Sequence, residues 1–261
     1  MPAAQLKSRR SLLARTLFAP PLWLGLALIA WLLWQGRASQ EPVKTTSLSQ
    51  QRPAPPGMIL VPGGECWLGT DDADADDDVR PMRRVFVPSF TIDVHEVTNA
   101  EFRLYKSSHT FAPGQENLPV TNVTYDQAEA YAKWAGKRLP TEAEWEKAAR
   151  GTDGRRYPWG NTWNSRLVAP RAHTARANAS PPVPAGSRVC YLGPQRVQPV
   201  GSVSGGISPY GCYDMAGNAW EWVQGYYNGN PEQRILRGGA VGYGERACRT
   251  YSRAIEGSGD T

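Results

Sequence analysis

Four cysteines and three histidines are the side chains in this 261-residue chain best suited to nucleophilic, redox or soft-metal chemistry. Their spacing argues against most of it. Cys66, Cys190, Cys212 and Cys248 form no C-x-x-C pair of the kind that closes a zinc site or a redox dithiol. On spacing alone they read as buried or disulfide-bonded structural residues, and four cysteines allow three pairings. His95, His109 and His173 lie far apart, without the H-x-x-x-H or facial-triad spacing that builds a zinc or iron centre. The run DDADADDDV at 71–79 places six carboxylates within eight residues, which brings calcium to mind. It lacks the glycine and the terminal glutamate of an EF-hand loop, so the expectation is a solvated, self-repelling loop.

The elements that must position such groups are short. Thr98-x-x-Glu101, Thr124-x-x-Gln127 and Thr141-x-x-Glu144 are three capping boxes, each predicting a helix. The second helix carries Ala128, Tyr131, Trp134 and Ala135 at helical spacing and stops at Gly136. The third carries Trp145, Ala148 and Ala149 and stops at Gly151. Both stripes are expected to be core faces. Residues 84–87, 90–94 and 235–236 are candidate strands. Gly and Pro together number 48, about 18% against a usual total of about 12%, so long connections must separate these pieces. No fixed-period repeat is present, and the pattern as a whole predicts one irregular α+β domain.

The net charge of +5 raises the possibility of a nucleic-acid partner, but its distribution excludes one. Residues 1–53 hold seven Lys and Arg and one acid, whereas the remainder has 22 basic and 23 acidic residues. The excess is a topology signal. Residues 16–36 carry no charge and would span about 31 Å as a helix, close to a bilayer core. Lys7, Arg9, Arg10 and Arg15 precede them, which keeps residues 1–15 cytoplasmic and sends the rest of the chain across the membrane. Pro20 and Pro21 shorten the dense apolar run to 22–34, the size of a signal-peptide core, and Gly36 and Ala38 offer a cleavage site. Trp23, Trp31 and Trp34 favour an uncleaved anchor. Either way the bulk of the chain is expected outside the cytoplasm, as a single-pass membrane protein or, if cut, in the periplasm. Residues 37–57, rich in Pro, Ser and Gln, read as a tether, and the domain is expected over 58–261.

Several longer motifs follow one another in a fixed order. MILVPGG begins at Met58, IDVHEVTNAEF covers 92–102, and NVTYDQAEAYAKWAGKRLPTEAEWEKAARG covers 122–151. Then come YPWGN, PVGSVSGGISPYGCYDMAGNAWEWV at 199–223 and RILRGGA at 234–240. This succession resembles the sulfatase-modifying-factor family, whose founding members are the formylglycine-generating enzymes. The resemblance spans about 58–253 and implies a C-type-lectin-like α+β domain poor in regular structure.

Two metal sites are implied by that resemblance. Family members bind calcium at the segment that reads DMAGNAWE here, so the implied ligands are the Asp214 and Glu221 carboxylates and the backbone carbonyls of Gly217 and Ala219. Hard oxygen ligands on a tight turn suit that cation. A second family calcium site begins at an asparagine matching Asn178, but no Asp or Glu follows it up to Val200, so this site is weakened. The generating enzymes hold copper(I) between two cysteines after the Arg-Gly-Gly turn and convert a sulfatase cysteine to formylglycine with oxygen. Of those positions Cys248 is present, the other is Tyr243, and the serine after Gly-Gly is Ala240. A phenol is hard and titrates near pH 10, so it is a poor partner for a thiolate on copper(I). The Gly-Phe-Arg strand that closes the family domain is not found after Arg253. The expectation is a divergent family member that acts as a binding or maturation factor in the cell envelope, with a protein or peptide partner that could be a sulfatase. The alternative is an active copper-dependent, oxygen-dependent formylglycine-generating oxidase.

Overall fold

Three threonines start the three helices of the computed structural model, which describes residues 53–168 and 197–257. Helix α1 is Asn99–Tyr105, α2 is Tyr125–Trp134 and α3 is Glu142–Arg150. In each, the N-cap threonine hydroxyl accepts from the backbone of the residue three positions on, and that Glu or Gln returns a side-chain oxygen to the cap N–H. The reciprocal bonds satisfy backbone donors that a helix start otherwise leaves open.

Seven short strands make three small antiparallel sheets. Strand β1 (Met58–Val61) pairs with β4 (Phe90–Asp93), and β2 (Gly64–Leu68) pairs with β3 (Arg83–Val87). The third sheet runs β5 (Glu221–Val223), β6 (Gln233–Arg237), β7 (Ala254–Gly257). Its alternation explains the core. Val223 and Ile235 face each other across β5 and β6 and enter a cluster with Trp145, Ala148, Ala149, Val61, Cys212 and Met215. The next pair, Trp222 and Leu236, points to the opposite face and packs with Tyr125, Trp220 and Ala240. Side chains alternate across a strand, so both faces of this sheet are covered. A third cluster joins Val168, Ala216 and Cys248 beneath Trp159 and Trp163.

Helix α3 buries more than the expected Trp and Ala stripe. Glu146, Lys147 and Arg150 are all 2% exposed or less. Buried charges persist only when paired and hydrogen-bonded, and these are. Glu146 Oε2 meets Arg237 Nη2 at 2.5 Å, while Oε1 takes Arg150 Nη1 at 2.7 Å and the Gly69 N–H at 2.8 Å. Arg237 also donates to the carbonyls of Thr250 and Tyr251. Lys147 Nζ donates to the carbonyls of Pro62, Gly64 and Val87. One helix thus staples β2, β3, β6 and the segment before β7.

Two expectations are corrected. Trp134 is not a core residue: it is 53% exposed, with the Tyr105 and Tyr131 rings beside it, because it lies in the last turn of α2 beside the end of the shorter α1. The acidic run at 71–79 is solvated as expected, with Asp71, Asp74, Asp76 and Asp77 exposed, but it is paired rather than self-repelling. Asp72 binds Arg156 at 2.5 Å and accepts from Tyr251, Asp74 takes both Arg249 and Arg246, and Asp78 pairs with Arg253 at 3.6 Å. Asp71 caps the Met82 N–H. Among the described residues no helix is long and apolar enough to cross a membrane, and the expected span at 16–36 lies outside them.

Candidate functional site

Left-handed backbone bends the chain at Asp214 (φ 57°), Gly217 (φ 94°) and Asn218 (φ 64°), just before β5. Asp and Asn tolerate that region better than other side chains, and glycine enters it without strain. The Gly217 N–H donates to the Gly238 carbonyl at 2.8 Å, and the Asn218 carbonyl accepts from Val241 at 2.9 Å. The Ala219 N–H goes to Glu96 Oε1 at 2.8 Å. Among the described residues, no backbone N–H reaches the carbonyl of Gly217 or of Ala219.

The carboxylates on either side of the turn are half-engaged in the same way. Asp214 Oδ2 accepts from the Gly201 N–H at 2.6 Å, and Glu221 Oε2 accepts from Trp145 Nε1 at 2.9 Å. Burial raises the Asp214 carboxyl above its ordinary value. Desolvation pushes Glu221 up to about 8, with Asp214 and Asp93 adding to the rise against the Trp145 bond. Burial, with Asp214 and Glu221 adding to it, raises the Glu96 carboxyl well above its ordinary value. Three acids in one desolvated place repel each other unless a cation or protons neutralise them. Among the described residues no three His, Cys, Asp or Glu side chains gather into a metal-binding group. After these bonds two carboxylate oxygens and two backbone carbonyls of the turn keep acceptor capacity, a hard-oxygen set of the kind that suits calcium. The same residues Ala219 and Glu221, with Glu96, Asp93 and His95, line part of a cavity of about 740 Å³.

The two positions that the family uses for copper belong to different hydrophobic clusters. Gly239 takes φ 77°, and a Cβ there would come within 2.9 Å of the Ala247 carbonyl oxygen and 3.0 Å of Cys248 Sγ, so Cys248 lies directly against the turn. It is 2% exposed, in the cluster beneath Trp159 and Trp163. Tyr243 instead joins the cluster around Trp220 and Ala240, its ring edge-on to Trp220 at 5.5 Å. It borders a second cavity of about 320 Å³, shared with Asp74, Arg246, Arg249 and Arg253. Cys66 and Cys212 are buried free thiols. Burial raises both, Cys212 to about 11, so neither supplies a thiolate at neutral pH. One sulfur, one phenol and two protonated thiols do not fit a copper(I) clamp.

Residues 43–260 match the family model described as the sulfatase-modifying factor enzyme 1-like domain. The chain belongs to that family. It is 32% identical to the inactive C-alpha-formylglycine-generating enzyme 2 of Bos taurus, over 69% of this chain and 75% of that one. It is 30% identical to the formylglycine-generating enzyme of Thermomonospora curvata, over 75% of this chain and 86% of that one. Among solved structures, that of PvdO from Pseudomonas aeruginosa superposes with a TM-score of 0.59 at 25% identity, covering 78% of this chain and 89% of that one.

For this sulfatase-modifying-factor domain the structure brings Asp214, Gly217, Ala219 and Glu221 to one turn and leaves Tyr243 and Cys248 in separate clusters. Asn178 and Cys190 lie outside the described residues. Sequence reasoning missed Glu96 and Asn218. Glu96 stands 122 positions from Asn218, a separation no spacing rule detects.

Proposed function

We propose that this chain is a membrane-tethered, extracytoplasmic member of the sulfatase-modifying-factor family that lacks the paired-thiolate copper clamp. It carries one calcium at the 214–221 turn and serves as a binding or maturation factor for a protein of the cell envelope. The observation that carries this reading is Tyr243: a phenol packed on Trp220 stands where the second sulfur is needed. Identity does not discriminate, because a relative named inactive and one named as the enzyme are 32% and 30% identical. The basic residues before 16–36 support the topology. The half-engaged oxygens of Asp214 and Glu221 and the two carbonyls between them support the calcium. When bound, that cation supplies charge neutralisation to a desolvated acidic turn and holds it rigid.

The alternative, an active oxidase, is favoured by the presence of Cys248 against the Gly-Gly turn. Copper(I) titration against a chromophoric chelator decides between them. The expected result is no copper bound above the competition background; one equivalent per chain, lost on Cys248→Ala, would favour the oxidase.

A further inference from the structure

Glu96 lies between α1 and the strand before it, far from the turn in sequence, yet its carboxylate ends on that turn. Oε1 accepts from the Ala219 N–H at 2.8 Å and Oε2 from Asn218 Nδ2 at 2.6 Å. Asn218 is 1% exposed and also joins Gln198 twice, its Oδ1 accepting at 2.9 Å and its Nδ2 donating at 3.2 Å. The peptide linking Asn218 to Ala219 is consequently gripped at both ends, its N–H by Glu96 and its carbonyl by the Val241 N–H. Peptide units are planar, so fixing one sets the directions available to its neighbours. Those neighbours carry the Gly217 and Ala219 carbonyls.

Resting on the calcium reading of the same turn, we propose that Glu96 is its positioning residue: by clamping the Asn218–Ala219 peptide, it aims the flanking carbonyls at the cation. Each Glu96 oxygen already accepts a hydrogen bond from the turn, so its assigned part is to hold the turn. Such outer-shell partners fix ligand geometry, and their loss commonly costs 10–100-fold in metal affinity.

The test uses the full-length protein in detergent, titrated with calcium by calorimetry and with terbium by tryptophan-sensitised luminescence, in wild type and Glu96→Gln. Glutamine keeps the shape but presents a donor to Asn218 Nδ2 and removes the charge. Calcium affinity is expected to fall about 10–100-fold, with a parallel loss of terbium emission. Equal affinity in the two proteins, with only a lower melting temperature in chelator for the variant, would mean a structural role and overturn the inference while leaving the calcium reading intact. Absence of calcium binding by wild type would overturn both. If Glu96→Gln does not fold, Glu96→Asp, which keeps the charge but shortens the reach, is judged by the same affinity loss.

Discussion

Tyr243 and Gly239 show how far single positions decide this molecule's chemistry. Counting the family's copper positions from the Gly-Gly pair was what picked out Tyr243 and Cys248 in the sequence. What the offset could not reveal is that the two side chains enter different packing clusters, which depends on β5, β6 and the Trp159–Trp163 segment. Gly239 is constrained twice, by φ 77° and by the carbonyl and sulfur a Cβ would meet. Gly239→Ala is expected to destabilise the fold by about 1–3 kcal/mol, read from urea denaturation; an unchanged midpoint would contradict the tight approach. At the 214–221 turn, the proposed ligands came from family resemblance, whereas Glu96 was hidden by its distance along the chain.

The elements divide by the range of the forces that make them. All three helix starts were legible because a capping box closes over three residues. The acidic run was misread as self-repelling because the arginines that pair with Asp72, Asp74 and Asp78 come from 84 to 175 positions away. Local charge counting sees repulsion where the folded chain supplies Arg156, Arg249 and Arg253. This strap has a pH signature. In Asp72, burial pushes the carboxyl up but hydrogen bonds from Arg156 and Tyr251 outweigh it, leaving it below the ordinary 3.8. Asp74 is lowered chiefly by Arg249. Depressed carboxyl values mean stabilisation that is complete above about pH 4 and lost as pH falls through the lowered folded-state values. In melting curves from pH 7 to 2, the Asp72→Asn/Asp74→Asn double variant is expected to melt below wild type at pH 7, with the gap closing in acid. A gap independent of pH would show that the strap is not held by ionised carboxylates.

At the scale of the whole molecule, the net basic charge belongs to residues 1–53 and residues 54–261 are nearly neutral, which is the charge distribution the proposed membrane topology rests on. The high Gly and Pro content becomes three small sheets and three short helices held by buried ion pairs on α3. That arrangement is a sulfatase-modifying-factor domain, and sites on one fold diverge freely. The proposed calcium site is testable independently of copper: adding calcium at neutral pH is expected to raise the melting temperature of the full-length protein, and chelator to reverse the rise. An identical melt with and without chelator would remove the metal from the account.

The central claim, that the fold is kept without the paired-thiolate oxidation chemistry, meets its most direct test in turnover. Full-length protein loaded with copper(I) is incubated with oxygen, a thiol reductant and a Cys-x-Pro-x-Arg peptide, and the peptide is followed by mass spectrometry and aldehyde capture. The peptide is expected to keep its cysteine through many equivalents of enzyme and time; formylglycine appearing in more than one turnover per chain would contradict the account.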